Sequence, residues 1–235
     1  MLTLEICANS ITSAIAAEEG RASRIELCDN LGEGGTTPSY GTISYCKQAL
    51  SIPVMVLIRP RGGDFVYTDH EFEVMKRDVI HCREAGCEGI VTGILLADGT
   101  VDKARTAALI SLARPMQVTF HRAFDQADDL LSALNDIISL GCDRVLTSGG
   151  QLSALSGISM IRKLVAAAGN RISIMPGAGV NETTIADVAR LSGASEFHGS
   201  AKIAVGAPVS GGNAVITRTS AAKVNAMRLQ LDSLA

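Results

Sequence analysis

Eight short segments rich in β-branched and aliphatic residues alternate with helical stretches along nearly the whole chain. Each segment has the length of a strand, and the stretches between them are long enough to form crossover helices. Such alternation predicts a parallel sheet with right-handed crossovers. The predicted strands are LTLEICA (2–8), RIELC (24–28), VMVLIRP (54–60), GIVTG (89–93), QVTFHR (117–122), RVLTSG (144–149), RISIMPG (171–177) and SEFHGS (195–200).

Eight strand–helix units in 235 residues predict an α/β fold, a closed (β/α)8 TIM-type barrel, with an extra C-terminal loop and helix. We expect one domain over 1–235, with the barrel core at 1–203 and the extra segment at 204–235. VGAPVSGGNAV (205–215) predicts a mobile loop, and TSAAKVNAMRLQLDSL (219–234) predicts a closing helix. A doubly wound open sheet is the alternative, but the repeat continues through an eighth strand and no GxGxxG follows the first one.

Three helix starts carry capping signals. Thr37-Pro38 has the form of an N-cap followed by proline at the first helical position. Thr68 and Glu71 have the spacing of a capping box. Asn181 is placed to cap the helix predicted over ETTIADVARL, and Gly193 is placed to end it.

Composition and charge exclude several functional classes. The net charge is −3, aromatic residues make up 3% of the chain, and tryptophan is absent, so we expect no nucleic-acid partner. The longest apolar runs, such as VMVLI at 54–58, are far too short to span a bilayer. The sequence MLTLEICANS lacks a basic region followed by an apolar run, so we expect no signal peptide, no membrane association and a cytoplasmic location.

Polar residues collect toward the ends of the predicted strands, where barrel enzymes place their functional groups. Residues two apart on a strand share a face. The polar pairs predicted to face the barrel interior are Glu5 with Cys7, Glu26 with Cys28, Thr119 with His121, and Glu196 with His198. The apolar residues between them, predicted to face the helices, are Ile6, Leu27, Phe120 and Phe197.

Six ionisable residues are expected to converge at the barrel mouth as one charge network, because buried charges need partners. They are Glu26, Arg59, Arg61, His121, Glu196 and His198. As a catalytic set they suit an enzyme acting on a small anionic or phosphorylated metabolite. A structural polar plug that locks the barrel is the alternative interpretation.

In the enzyme hypothesis, the two arginines of this set clamp an anion. Glu26 or His121 then moves protons, and Glu196 with His198 assists. A divalent metal site built from the same histidines and glutamates is less favoured, because the neighbouring arginines would repel the cation. A third interpretation is a purely structural barrel. An apolar mouth would favour it, but the mouth predicted here is polar.

Two glycine-containing loops follow the seventh and eighth strands, where many barrels bind phosphate. The candidate residues for this binding are Gly177, Gly179, Gly199 and Ser200. A glycine-rich turn by itself more often serves only as a turn.

The six cysteines form no CxxC pair, so a cytoplasmic chain should keep them reduced. Cys7 and Cys28 end adjacent predicted strands with the same inward parity, and two thiolates are suitable ligands for Cu(I). The alternative is that both are inert core residues. The other four cysteines are interpreted as packing.

Several segments together resemble the CutC-type copper homeostasis family, in order from about residue 4 to 202. They are EICANS, RIELCDNLGEGGTTPSYG, IRPRGGDFVY, TFHRAFD, RVLTSGG, MPGAGV and EFHGSAK. The resemblance implies a cytoplasmic TIM-type barrel with a role in copper handling that forms a homo-oligomer. It also implies Cu(I) binding by Cys7 and Cys28. The partner is therefore expected to be a copper ion or, in the enzyme alternative, a small anionic molecule.

Overall fold

The computed structural model describes residues 2–205 and 216–234. Its central sheet consists of β1 (Thr3–Ala8), β2 (Arg24–Leu27), β3 (Val54–Leu57), β4 (Gly89–Thr92), β5 (Gln117–Phe120), β6 (Arg144–Thr147), β7 (Ser173–Pro176) and β8 (Glu196–Gly199). The helices are α1 (Ile11–Glu19), α2 (Tyr40–Ala49), α3 (Asp69–Glu84), α4 (Lys103–Ala113), α5 (Leu130–Leu140), α6 (Ile158–Ala168), α7 (Ile185–Ser192) and α8 (Ala221–Asp232). Single turns of 3₁₀ helix span Leu31–Glu33 and Arg122–Gln126.

The eight strands are parallel and are hydrogen-bonded in the order β7-β6-β5-β4-β3-β2-β1-β8. The two end strands, β7 and β8, contact each other, so the sheet is nearly closed into a barrel. The predicted TIM-type fold is confirmed. The strands are one to three residues shorter than predicted.

Apolar packing divides into two layers, as the strand alternation predicts. Ile6, Leu27, Phe120 and Phe197 are buried in the main core between the sheet and the helices. A second cluster fills the barrel interior and consists of Cys7, Cys28, Met55, Leu57 and Val91. Burying one large apolar side chain contributes about 1.5–3 kcal/mol, so the outer layer supplies most of the driving force for folding.

One of the three predicted N-terminal helix caps is confirmed. The prediction for Thr37-Pro38 is wrong, because α2 begins at Tyr40 and Ser39 caps it. The Thr68 hydroxyl accepts a hydrogen bond from the backbone N–H of Glu71, and the Glu71 carboxylate accepts one from the N–H of Thr68 at 2.7 Å. The prediction for Asn181 is wrong, because α7 begins at Ile185 and Asn181 instead organises the loop before it. Gly193 ends α7 with φ 71°, as expected.

The C-terminal segment adds a hairpin and a helix to the barrel. β9 (Lys202–Ala204) pairs antiparallel with β10 (Thr217–Thr219), which was not predicted. The predicted closing helix is confirmed as α8. The predicted mobile loop falls almost entirely on residues 206–215, outside the described residues. None of the helices described is long and apolar enough to cross a membrane.

Candidate functional site

A cavity of about 480 Å³ opens at the carboxyl ends of the strands. Cys7, Glu26 and His198 contribute from the strands, and Arg59 and His121 follow two others. Its remaining walls come from the loops after β7 and β8. The cavity therefore occupies the end of the barrel where this fold places functional groups.

Two thiols lie beside this cavity. Cys7 pairs in register with Glu26, which places Cys28 and Cys7 on neighbouring strands with the same inward orientation. Their Sγ atoms are 3.3 Å apart. The Cys7 thiol also donates to the Glu26 carboxylate at 3.7 Å, and the Cys28 thiol donates to the carbonyl of Ala8 at 3.7 Å. The hydrogen bond to Cys28 and burial raise the pKa of Cys7 well above its usual range, so the metal-free thiol is protonated.

A buried carboxylate–histidine group adjoins the thiols. Parallel register sets Glu5 opposite His198, whose Nδ1 lies 2.8 Å from the Glu5 carboxylate and 3.9 Å from that of Glu26. Burial alone would lower the pKa of His198, but Glu26, Cys7 and Glu5 raise it well above its usual range. Burial raises the pKa of Glu26. Ligand atoms of Cys7, Glu26 and His198 lie within 4.8 Å of one another and can hold a metal ion.

Arg59 is a buried cation whose guanidinium is held by backbone carbonyls. Its guanidinium donates to the carbonyls of Glu33, Gly35 and Gly63 at 2.9, 2.8 and 2.7 Å. It also lies over the Phe65 ring, 4.9 Å from the centroid. Within the described residues it forms no salt bridge, and its Nε has no hydrogen-bond partner. The carbonyl dipoles fix its position without neutralising its charge.

His121 is buried in a neutral form. Its Nδ1 accepts a hydrogen bond from the backbone N–H of Ala123 at 3.1 Å, so the ring proton is assigned to Nε2. Burial and the nearby positive charge of Arg59 lower the pKa of His121 to about 3. The ring lies 4.9 Å from that of Phe65, and no partner for its Nε2 exists in the part of the chain that the structure describes. The side chain is thus a neutral N–H donor beside the cavity.

Comparison with known proteins identifies the family. The profile of the CutC family matches residues 2–203. The chain belongs to the CutC family. A CutC family protein of Chromobacterium violaceum is 54% identical over 199 residues, which cover 85% of this chain and 81% of the relative. A copper homeostasis protein cutC homolog of Homo sapiens is 49% identical over 199 residues, with coverage of 85% and 73%.

The same relationship holds in three dimensions. The crystal structure of a candidate copper homeostasis protein CutC from Streptococcus agalactiae matches with a TM-score of 0.82 and 36% identity. The match covers 85% of this chain and 99% of that one. The resemblance inferred from the motifs is therefore confirmed, and this family member has the same barrel fold.

The expected single charge network is not what this CutC barrel contains. Glu196 is the first residue of β8 and lies at the amino ends of the strands, bonded to Arg24 at 2.5 Å and to Arg144 at 3.0 Å. Arg61 lies outside the cavity and binds Glu71 at 2.6 Å. The proposed divalent site that included Glu196 is not assembled either, because this residue is at the opposite end of the barrel from the cavity.

The remaining predicted residues do meet. Glu26, Arg59, His121 and His198 all line the cavity of this CutC chain. These four residues do not form one network of ion pairs. Glu26 interacts with His198 and Cys7, whereas Arg59 donates to backbone carbonyls. The mouth thus contains a sulfur–carboxylate–imidazole group and, apart from it, a cation beside a neutral histidine.

Three of the four predicted loop residues, Gly179, Gly199 and Ser200, line the cavity. Gly177 is not part of the cavity lining. It allows close packing, since a Cβ there would lie 2.5 Å from Leu146 Cδ1 and 3.6 Å from His198 Cβ. The absence of a side chain at Gly177 therefore leaves room for the Leu146 side chain of β6.

Sequence reasoning missed a second arginine of the cavity wall. Arg122 follows the inward-facing His121 by one residue, so continued strand alternation would point it away from the barrel interior. Instead, β5 ends at Phe120 and the following 3₁₀ helix directs the Arg122 side chain to the cavity. Its Nε donates to Asp125 at 2.9 Å, and Asp125 in turn accepts from the backbone N–H and hydroxyl of Ser148 at 3.0 Å. The signal was present as an Arg–Asp pair three residues apart in HRAFD.

Proposed function

We propose that this CutC chain is a copper homeostasis protein that binds one Cu(I) ion through Cys7 and Cys28. The observation that best supports this proposal is the distance of 3.3 Å between the two sulfur atoms. Relatives from Homo sapiens and Mus musculus are named copper homeostasis protein cutC homologs, at 49% identity. This supports the same role for a chain that has the thiol pair.

The donor chemistry fits a soft monovalent ion. Cu(I) prefers thiolates, and both cysteines are free and buried. Binding replaces two S–H protons by one Cu(I), so the site changes by one negative charge. His198, held as a cation between Glu5 and Glu26, lies close enough to offset that charge. Cys7 lines the cavity, which gives an ion a route from solvent to its sulfur.

The test is an anaerobic Cu(I) titration against a chromogenic chelator, on the wild type and on Cys7→Ser and Cys28→Ser. We expect one equivalent of tight binding in the wild type and its loss in both variants. Cys142→Ala is the matched control, because Cys142 is also a buried thiol but lies in the main core. Binding that survives in either serine variant would contradict the proposal.

A competing metal distinguishes the thiol pair from the mixed group of Cys7, Glu26 and His198. That group offers one sulfur, one oxygen and one nitrogen, which also suits Zn²⁺. For the thiol pair, Glu26→Gln should leave one equivalent of Cu(I) binding in place. Preference for Zn²⁺ over Cu(I), together with loss of binding in Glu26→Gln but not in Cys28→Ser, would assign the mixed group instead.

A further inference from the structure

The cavity above the thiols is larger than a bare metal ion requires. Its volume of about 480 Å³ falls in the range of small-molecule sites. A Cu(I) ion held by two sulfurs would occupy only its floor, where Cys7 lies. The walls formed by Arg59, His121 and the loops after β7 and β8 have no part in that coordination.

The first indication of a ligand is the charge on Arg59. The residue is 4% exposed, and a buried charge is costly unless an opposite charge compensates it. Its three carbonyl partners leave the full positive charge in place, with no carboxylate in contact among residues 2–205 and 216–234. Its Nε–H has no acceptor there. A negatively charged guest would supply what the protein does not.

The second, independent indication is His121. The residue is 4% exposed and lines the same cavity, yet its Nε2–H finds no acceptor among the described residues. Buried donors without acceptors are rare because they lose their hydrogen bond to water. Phe65 lies against both His121 and Arg59, so the two unsatisfied N–H donors flank one aromatic ring.

The side chains that line the cavity also carry more positive than negative charge. Besides the histidines, the cavity is lined by four lysine and arginine side chains and two glutamates; they are Arg59, Arg122, Lys202, Lys223, Glu26 and Glu182. Two of the cations have carboxylate partners, since Lys223 pairs with Glu182 at 2.9 Å and Arg122 with Asp125 at 2.9 Å. Lys202 is exposed and takes part in no ion pair with a described residue. The rim therefore attracts anions toward Arg59.

We propose that the cavity binds a small organic anion that carries a carboxylate or phosphate group next to a carbonyl or hydroxyl oxygen. Arg59 supplies the compensating charge, and the Nε2–H of His121 donates to an oxygen of the ligand. This goes beyond Cu(I) binding and does not depend on it, because the hydrogen bonds of the two thiols among the described residues involve neither Arg59 nor His121.

The experiment follows the His121 ring by ¹⁵N-resolved NMR while metal-free protein is titrated with three probes. These are pyruvate for the carboxylate class, glycerol 3-phosphate for the phosphate class, and glycerol as the neutral control. We expect one of the two anions to move the His121 Nε2–H signal and saturate with a dissociation constant below about 10 mM, and glycerol to leave it unchanged. The anion that moves the signal shows whether the ligand belongs to the carboxylate or the phosphate class.

Variants decide whether the named groups bind the anion. His121→Phe keeps an aromatic ring beside Phe65 but removes the donor, and Arg59→Met removes the charge with a side chain of similar length. Each should weaken binding of the active probe by about tenfold or more, measured by calorimetry. Lys103→Met is the control, because Lys103 is exposed on α4 and pairs with Asp136 away from the cavity.

Stability of the variants is checked by thermal unfolding. If Arg59→Met does not fold, His121→Phe carries the test alone, since it leaves the three carbonyl contacts of Arg59 in place. Failure of both anions to move the His121 signal would overturn the proposal, as would anion binding that His121→Phe leaves unchanged. Cys7→Ser should retain anion binding, so this outcome is separable from that of the copper titration.

Discussion

Replacing Glu196 by glutamine should destabilise the barrel and leave Cu(I) binding unchanged. Glu196 lies at the amino ends of the strands, where its carboxylate accepts from Arg24 at 2.5 Å and from Arg144 at 3.0 Å. The two arginine side chains are 9% and 7% exposed. Removing the charge of Glu196 leaves two buried guanidinium groups with a single carboxylate, that of Glu5, between them.

The expected loss is smaller than for a fully buried ion pair. Breaking such a pair by removing one partner costs about 3–5 kcal/mol. Here Arg24 keeps Glu5 at 2.5 Å, and Arg144 keeps the side-chain oxygens of Gln117 and Thr119 at 3.1 and 3.4 Å. The Glu196 side chain is also 16% exposed, so water moderates the loss. We therefore expect Glu196→Gln to lower the free energy of unfolding by about 2–3 kcal/mol.

The measurement is urea denaturation of metal-free protein, with the Cu(I) titration run in parallel. Glu182→Gln is the matched control, because its partner Lys223 is 39% exposed and such surface pairs contribute about 0–1 kcal/mol. Combining Glu196→Gln with Arg144→Gln should recover part of the loss, since the second change removes one uncompensated charge. A loss no larger than that of the control, or weaker Cu(I) binding in a folded Glu196→Gln variant, would refute the reasoning.

Three further outcomes follow from the structure. Because the pKa of His121 is about 3 in the folded state and about 6.5 in the unfolded state, its contribution to stability falls by about 2 kcal/mol between pH 7 and 5. His198, whose pKa is raised, changes with the opposite sign, so the difference in urea denaturation between wild type and His121→Phe isolates the effect. Thr68→Ala should lose about 1 kcal/mol in the same assay, because the capping box of α3 is removed. Gly157→Ala should be destabilising by about 1–3 kcal/mol, since its Cβ would lie 1.9 Å from a backbone oxygen, whereas Gly41→Ala on α2 meets nothing within 4 Å and should be neutral or stabilising.

The sequence predicts which face of the sheet a residue occupies but not its height along the barrel axis. Parity placed Cys7, Cys28 and Glu26 correctly inside, because β1 and β2 are buried on both faces and only the pleat decides the side. Parity also placed Glu196 inside, and this is correct. Height depends on the register between strands, which sets Glu196 opposite Thr3 and His198 opposite Glu5. Two residues along one strand thus separate a structural ion pair from the cavity.

Long side chains at strand ends escape prediction for a different reason. Arg61 lies two residues beyond Arg59, but its guanidinium turns to Glu71 and Asp64 because the loop after β3 folds back toward the start of α3. Arg122 enters the cavity because β5 ends two residues earlier. In both cases the backbone leaves strand geometry, and alternation no longer gives the direction of the side chain.

The two ends of the barrel interior differ in how completely their charges are compensated. At the amino end, Glu5 and Glu196 match Arg24 and Arg144 in number, and both carboxylates bind guanidinium groups. At the carboxyl end, the Arg59 guanidinium donates to three carbonyls and has no carboxylate partner among the described residues. Uncompensated buried charge is costly, so stability alone does not account for this difference between the two ends. The difference supports the proposed anion site at the carboxyl end, where a ligand would supply the charge that the described residues do not.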